Sequence, residues 1–408
     1  MRACSGHDRT DRAAGRNDRP VIENSRIVAR RRALLLRGLA AAAAAGLVAG
    51  VVSGAGAGDA GDAGEPTPAP ARTAVTATAT VTPRVSAEPI ERAAGRLIVL
   101  RYAGAAVPGY VRRALREGRA GGAILFADNL GGPGDLRRAT TVLHRAAGGQ
   151  ALICTDQEGG KVRVVGGIGP ERSQAAQLSA GSVRADARAA GTALRQAGIN
   201  VTLAPVADVA VSGGALAGRA FSSDVEAASA AMADSVTGWR EGGVAPTAKH
   251  FPGLGGSATN TDDAPATVDD DEATLRSRDL PPFAAAIQAG VPLVMTSHAR
   301  YPALDPERIA SQSRPIITGL LREELGFDGV VITDSMEAAA VLAESSLEEA
   351  VERSIEAGTD VILTTGRGSS IRVYRALVKR ARRDRAFADL IRRAAGRVSA
   401  LTDSLGGG

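Results

Sequence analysis

Short apolar, β-branched runs recur along the chain from about residue 91 and alternate with longer stretches of helical spacing. Eight such runs occur, at residues 96–102, 122–126, 151–156, 200–209, 245–250, 292–298, 329–334 and 360–364. The stretches between them are rich in Ala, Leu and Arg, as at 223–241, 275–289 and 347–357. Continuous apolar strands alternating with helices are typical of a parallel sheet that is covered on both faces.

Eight strand–helix units within residues 91–405 predict an α/β fold of the (β/α)8 TIM-barrel type, forming a single domain. The alternative is an open doubly wound sheet, which carries a glycine-rich phosphate-binding turn after its first strand. Here the first strand ends in the sequence RYAGAA at 101–106, which does not fit such a turn. The barrel is therefore the favoured prediction.

Residues 1–58 have the pattern of a basic export leader. The triplet Arg30-Arg31-Arg32 comes before the uncharged stretch 38–58, which is rich in Ala, Val and Gly. A cleaved signal peptide and a retained membrane anchor both fit, and adjacent arginines also suit the twin-arginine route. Residues 59–90 are rich in Ala, Thr and Pro, which predicts an extended linker. We expect an exported protein, extracellular or associated with the cell envelope.

The charge distribution argues against a nucleic-acid partner. The chain has 49 Lys and Arg against 44 Asp and Glu, a net charge of +5. Ten arginines and four acidic residues fall in residues 1–37, so this segment carries +6 and residues 38–408 carry −1. A nucleic-acid-binding domain needs a basic face on its folded part. With two cysteines and four histidines, we also expect no metal site and no cofactor, and we expect a monomer.

Five of the eight predicted strands end in ionisable residues. These strand ends carry Asp156, Asp208, the pair Lys249-His250, His298 and Asp334. In a (β/α)8 barrel the carboxyl ends of the strands form the functional face. The set predicts a polar pocket suited to carbohydrate or carboxylate chemistry, although Asp208 by itself favours a structural role in tying loops together.

The segments that carry these residues resemble glycoside hydrolase family 3, in its single-domain β-N-acetylhexosaminidase branch. The resemblance extends over about residues 93–370 and rests on seven blocks: DQEGGKV at 156–162, LAPVADV at 203–209, GRAFSSD at 218–224, KHFPG at 249–253, MTSH at 295–298, YPALD at 301–305 and LGFDGVVITDSM at 325–336. The family fold is a barrel, in agreement with the strand pattern, and residues 91–405 would form its N-terminal-type barrel domain.

The resemblance implies a retaining exo-glycosidase acting on a carbohydrate substrate, terminal β-linked N-acetylglucosamine, with peptidoglycan fragments as a plausible source. The position that matches the family nucleophile is Asp334. The matching sugar-binding positions are Asp156, Arg219, Lys249 and His250, and His298 is expected to line the same pocket. A β-glucosidase or β-xylosidase activity is the nearest enzymatic alternative.

The sequence departs from the family in the loop that follows KHFPG. The family branch places its acid/base there as a His paired with an Asp, whereas the matching positions are Asp262 and Asn260. Asp262, or Asp263 beside it, is therefore the candidate acid/base. Two alternatives are a weakened enzyme that needs good leaving groups and a protein that binds glycan without turnover. A second departure lies eight residues after Asp156, where the family has Arg and this chain has Val164.

Overall fold

The structure is a computed structural model that describes residues 85–131, 134–149 and 151–406. The predicted leader at 1–58 lies outside the described residues, as does the predicted linker up to residue 84. Within the described ranges, no helix has both the length and the apolar character needed to cross a membrane. The predicted anchor at 38–58 lies outside those ranges.

Eight parallel strands form the centre of the described chain. They are β1 Ile98–Arg101, β2 Gly122–Leu125, β3 Leu152–Thr155, β4 Val201–Thr202, β5 Ala245–Phe251, β6 Leu293–Thr296, β7 Val330–Thr333 and β8 Ile362–Thr364. Their order in the sheet is β7-β6-β5-β4-β3-β2-β1-β8. A parallel bridge between Ile332 and Val361 joins the two ends. The predicted (β/α)8 barrel is confirmed, with one strand inside each predicted run or overlapping it.

Helices follow the strands and pack around the sheet. Their bounds are Ile90–Arg96, Gly109–Arg116, Asp135–Ala146, Gln174–Ser179, Val183–Gln196, Val225–Glu241, Glu272–Thr274, Leu280–Gln288, Ala339–Leu342, Leu347–Ala357, Ser369–Ala381 and Arg385–Gly406. Two π-helical segments, Leu275–Asp279 and Pro315–Glu324, and two 3₁₀ turns, Ala127–Asn129 and Ala310–Gln312, complete the helical elements. Two short antiparallel ladders pair Gln157–Gly159 with Val162–Arg163 and Arg300–Tyr301 with Asp305–Ile309.

Alternate residues of the strands fill the interior of the barrel. Val99, Ile124, Cys154 and Met295 belong to one buried cluster, because every second side chain of a barrel strand points inward. Val398 of the C-terminal helix joins this cluster and covers the amino end of the barrel. Cys154 is fully buried and free, and burial raises the pKa of its thiol, so it acts as a small apolar core residue.

The fourth strand is shorter than the apolar run predicted. The run extends over 200–209, but β4 ends at Thr202 and Pro205 follows soon after. Proline has no N–H to donate to a neighbouring strand, which limits regular pairing there. A bridge between Val206 and Lys249 resumes the pairing, and it keeps the segment leading to Asp208 beside β5.

Candidate active site

A cavity of about 590 Å³ opens at the carboxyl ends of the strands. Every strand except β6 contributes a lining residue at or just past its end: Arg101, Phe126, Asp156, Leu203, Lys249, His250, Asp334 and Thr365. Arg219 and Asp262 complete the wall from two loops. The cavity therefore brings together six of the seven site residues predicted from the sequence.

A network of two cations and two carboxylates forms one side of the cavity. Lys249 donates from Nζ to Asp156 Oδ1 at 2.7 Å and lies 2.8 Å from Glu158 Oε1. Arg219 forks onto Glu158, with Nε–Oε2 at 2.9 Å and Nη2–Oε1 at 2.5 Å. Such bidentate, charge-assisted bonds hold side chains in fixed orientations. We call this network the cation–carboxylate frame. It presents hydrogen-bond donors of Lys249 and Arg219 and an acceptor oxygen of Asp156 to the cavity.

Glu158 holds this frame together, although it is not among the site residues predicted from the sequence. Its side chain is only 2% exposed. Burial by itself would raise the pKa of Glu158, but Lys249 and Arg219 outweigh that effect and lower the pKa to about 2. Burial likewise opposes the charged form of Lys249, yet Asp156 and Glu158 raise its pKa. The sequence did contain an indication of such a residue. Lys249 and Arg219 were both predicted to lie in the site, but Asp156 was the only carboxylate predicted to bind sugar beside them.

His250 is fixed in place by Asp208. The imidazole Nδ1 lies 2.7 Å from Asp208 Oδ2, and the Asp208 Oδ1 accepts from the backbone N–H groups of His250 at 3.2 Å and Leu254 at 2.7 Å. Because a carboxylate accepts, Nδ1 carries the proton and Nε2 is left for the cavity. Asp208 is 2% exposed and lies behind the cavity wall, in keeping with the loop-tying role that its position suggested.

Asp334 follows β7 directly and its side chain is 22% exposed. Its Oδ1 accepts from the Ser335 N–H at 2.7 Å, and its Oδ2 lies 3.8 Å from His250 Nε2. Burial opposes ionisation of this carboxyl, but the neighbouring imidazoles of His250 and His298, the ammonium of Lys249 and the Ser335 N–H together lower its pKa. The group is therefore a carboxylate at neutral pH, oriented by the backbone beside it.

His298 does not line the cavity, unlike the other predicted site residues. It is fully buried, with Nε2 3.0 Å from the Ser335 carbonyl and Nδ1 2.7 Å from Ser311 Oγ. A carbonyl can only accept, so Nε2 donates and Nδ1 accepts from the Ser311 hydroxyl. Burial lowers the pKa of His298, which fits a neutral ring. These contacts support the segment that carries Asp334. They do not agree with the prediction that His298 lines the pocket.

The loop 254–263 brings Asp262 into the cavity. Two backbone hydrogen bonds anchor it: the Thr261 carbonyl accepts from Ala340 N–H at 3.1 Å, and the Asp262 carbonyl accepts from Ala339 N–H at 3.3 Å. Both donors follow Asp334 closely in the chain. The acid-bearing loop and the segment after β7 are thus joined by direct backbone hydrogen bonds.

Asp262 and Asp263 have different surroundings. Both residues are exposed, but Asp262 lines the cavity and Asp263 does not. Desolvation by the cavity walls, followed by the negative charge of Asp334, raises the pKa of Asp262. Two carboxyl groups of one cavity therefore have pKa values displaced in opposite directions, Asp334 downwards and Asp262 upwards.

This geometry can be set against proteins of known family. A family model described as the glycosyl hydrolase family 3 N-terminal domain matches residues 95–401, three quarters of the chain. The chain belongs to glycoside hydrolase family 3. The match covers all eight strands, both halves of the cavity wall and the loop that carries Asp262.

Relatives of this glycoside hydrolase are found in fungi and bacteria. It is 35% identical over 293 residues to an uncharacterised secreted glycosyl hydrolase of Arthroderma benhamiae, covering 68% of this chain and 82% of the relative. It is 31% identical over 277 residues to a β-hexosaminidase of Xanthomonas oryzae pv. oryzae, covering 65% and 83%.

Solved structures show the same fold. A β-N-acetylhexosaminidase from Beutenbergia cavernae superimposes with a TM-score of 0.72 at 34% identity, over 78% of this chain and 99% of that one. A family 3 β-N-acetylglucosaminidase from Paenibacillus sp. FPU-7 gives 0.74 at 32% identity, over 78% of this chain. The match spans 63% of the Paenibacillus chain.

Val164, the position at which the resemblance to the family led us to expect an arginine, lines the cavity. Arg163 beside it forms an ion pair with Glu171 and is not among the lining residues. Another arginine enters the cavity from the end of β1: the guanidinium of Arg101 lies 5.0 Å from the ring centre of Phe126. The cavity thus retains a cation from a different strand.

Proposed function

We propose that the protein is a retaining exo-glycosidase that hydrolyses terminal β-linked N-acetylglucosamine, with fragments of cell-wall peptidoglycan as its source of substrate. One observation carries the proposal: the carboxyl groups of Asp334 and Asp262 line a single cavity and have pKa values displaced in opposite directions. Retaining glycosidases need such a pair, one ionised nucleophile and one protonated acid. The names of the bacterial relatives support the choice of sugar.

In the first step, the Asp334 carboxylate attacks the anomeric carbon while Asp262 gives its proton to the glycosidic oxygen. The bond between that carbon and oxygen breaks, the aglycone leaves as an alcohol, and a glycosyl ester on Asp334 forms. In the second step, Asp262 takes a proton from water, and the resulting hydroxide attacks the anomeric carbon and releases Asp334. The configuration is inverted twice and is therefore retained.

The cation–carboxylate frame supplies the groups that bind the sugar. An ammonium has three donors, and Lys249 uses two of them on Asp156 and Glu158. The third is available for a sugar hydroxyl, as is the second oxygen of Asp156. Arg219 keeps Nη1 for the same purpose, because its bonds to Glu158 involve Nε and Nη2. Together these groups would form hydrogen bonds with neighbouring hydroxyls of a terminal sugar.

His250 and Arg101 complete the proposed sugar site. With Nδ1 held by Asp208, the free Nε2 of His250 lies next to the Asp334 oxygen that would become the ester. Arg101, whose Nη2 donates to Asp128 Oδ1 at 3.2 Å, also lines the cavity and adds a guanidinium donor there. We assign both residues to the binding of substrate hydroxyl or acyl oxygen atoms.

Four proteins test the proposal: the wild type and the variants Asp334→Asn, Asp262→Asn and Asp263→Asn. Each is assayed with aryl β-N-acetylglucosaminides of good and poor leaving groups and with an aryl β-glucoside. We expect Asp334→Asn to lose activity on every substrate, by roughly 10³-fold or more. Asp262→Asn should lose far more activity on poor leaving groups than on good ones, and Asp263→Asn, whose side chain does not line the cavity, should resemble the wild type.

Added azide separates the two carboxyl roles further. Azide needs no general base, so it should restore turnover of activated substrates in Asp262→Asn and yield a β-glycosyl azide. Equal rates for wild type and Asp334→Asn would overturn the nucleophile assignment. A preference for the β-glucoside would overturn the choice of sugar, and glycan binding without turnover would identify a binding protein instead.

Export is part of the proposal. The arginine-rich start of the chain and the secreted relative of Arthroderma benhamiae both support it. Fractionation of cells that express the full chain, with N-terminal sequencing of the product, tests it. Activity confined to the cytoplasm with an intact N-terminus would contradict export.

A further inference from the structure

A second cavity, about 190 Å³ in volume, lies at the opposite end of the barrel from the active site, beside the amino end of β8. Its walls come from the segment before β8, the π-helical segment Pro315–Glu324 and the C-terminal helix. The polar groups that matter here are Arg314, Arg322, Arg393, Arg397, Thr359 and Asp360. None of them has a part in the proposed hydrolysis.

The charges around this cavity do not balance. Asp360 is fully buried and accepts from Arg322 Nη2 at 2.6 Å and from Arg397 Nη1 at 3.0 Å. Two more guanidinium groups, those of Arg314 and Arg393, line the cavity and have no hydrogen-bond or ion-pair partner within the described ranges. Arg314 and Arg393 are exposed, whereas Arg322 and Arg397 are part-buried, so the cavity has four guanidinium groups, two of them at its solvent side, and one carboxylate.

Several buried polar atoms of the cavity wall also have no partner within the described part of the chain. They are Nε of Arg322, Nε of Arg397 and Oγ1 of Thr359, and Thr359 is only 1% exposed. A guanidinium Nε can only donate, and a hydroxyl can donate as well. Buried polar groups are nearly always hydrogen-bonded, so the partner that these atoms require is an acceptor.

Gly358 ends the helix Leu347–Ala357 in a left-handed conformation and packs closely against Thr318 at this wall. A Cβ at this position would lie 2.8 Å from Thr318 Oγ1 and 3.7 Å from Arg322 Nε, and the residue has φ of +113°. A side chain at this position would therefore displace Thr318 and shift the wall beside Arg322.

We propose that this cavity binds a tetrahedral oxyanion, inorganic phosphate or the phosphate group of a small phosphomonoester. Such an ion supplies several acceptor oxygens and negative charge at once, and guanidinium groups match its geometry. Water would satisfy single donors, whereas an anion would also bring negative charge to a cavity in which four arginines accompany one carboxylate. Because the walls belong to the segment before β8, to Pro315–Glu324 and to the C-terminal helix, the bound ion would join these elements and stabilise the amino end of the barrel.

The test is the midpoint of thermal unfolding of the full chain in increasing phosphate, with sodium chloride added to keep the ionic strength constant. We expect a saturable rise in the wild type, because a ligand that binds the folded state stabilises it. Arg393→Gln and Arg314→Gln should each weaken the apparent affinity for phosphate, on the order of tenfold. Arg112→Gln, an exposed arginine outside the cavity, is the matched control and should follow the wild-type curve.

A parallel titration with a hexose 6-phosphate distinguishes the two sources of the ion. Saturation by both ligands indicates a site that accepts esters, and saturation by phosphate alone indicates a site for the free ion. A wild-type midpoint that does not respond to either ligand would overturn the proposal. Identical phosphate curves for the wild type and both cavity variants would overturn it as well. Neither result bears on the proposed hydrolysis, which takes place at the other end of the barrel.

Discussion

Replacing Glu158 by Gln would remove one negative charge from the buried network and leave the shape of the side chain almost unchanged. Glu158 accepts a bidentate bond from Arg219 and lies 2.8 Å from Lys249 Nζ, and its side chain is 2% exposed. In the variant, the two cations share Asp156 alone. We expect a large loss of stability and weaker substrate binding, because buried cations without a partner are costly.

The magnitude follows from the pKa of Glu158. Its ordinary value of 4.5 falls to about 2 in the folded protein. At 1.36 kcal/mol for each pKa unit, this difference corresponds to about 3 kcal/mol of stability. Breaking a buried ion pair by removing one partner costs about 3–5 kcal/mol, a range that this value meets at its lower end.

The sign of the pH dependence is fixed by the lowered pKa. Stability from a carboxyl whose pKa falls on folding is fully present above the unfolded-state value and is lost as the pH falls through the folded-state value. The difference between wild type and Glu158→Gln should therefore be constant above about pH 5 and should shrink between pH 4.5 and about 2.

Urea unfolding of both proteins between pH 3 and 7 measures this difference directly. Glu348→Gln is the matched control, since Glu348 also forms a bidentate pair, with Arg372 at 2.7 Å for both bonds, but on the surface. Exposed pairs contribute less than about 1 kcal/mol. Equal losses for Glu158→Gln and Glu348→Gln, or a difference independent of pH, would refute the reasoning.

Two further predictions concern the orientation of the active-site groups. Asp208→Asn should lower kcat by roughly 10²-fold with little change in circular dichroism, because the imidazole of His250 loses its carboxylate acceptor at 2.7 Å; unchanged kcat would contradict this role. Gly255→Ala should destabilise the protein by about 1–3 kcal/mol in urea unfolding and reduce activity, because its Cβ would lie 1.9 Å from the Val209 carbonyl oxygen and displace the loop that carries Asp262. Gly319→Ala, whose Cβ would have no neighbour within 4 Å, is the control and should be neutral or slightly stabilising.

The sequence by itself was sufficient to predict the barrel and the end of it that carries the site. Strands of a parallel sheet are buried on both faces, so they appear as continuous apolar runs, and eight runs imply eight strands. Polar residues at the ends of such runs must gather at one end of the barrel. Asp156, Lys249, His250 and Asp334 were predicted on this ground and do line one cavity.

Only the tertiary structure decided which polar residue faces the cavity and which lies behind it. His298 and Asp334 both follow a strand, but His298 is fully buried. Both of its ring nitrogens are hydrogen-bonded, one to Ser311 and the other to the Ser335 carbonyl. Those partners come from other elements, so nothing local to residues 292–298 indicates them. The direction of a side chain at a strand end depends on which neighbours can satisfy its polar atoms.

Glu158 is the opposite case: it belongs to the site, but the sequence did not predict it. It lies two residues beyond Asp156, and its partners are 61 and 91 positions away in the chain, at Arg219 and Lys249. Spacing along the chain carries no information about such distant pairs, because closure of the barrel alone brings them within hydrogen-bonding distance. The sequence determined which groups were available, and the packing of loops from three different strands determined how they pair.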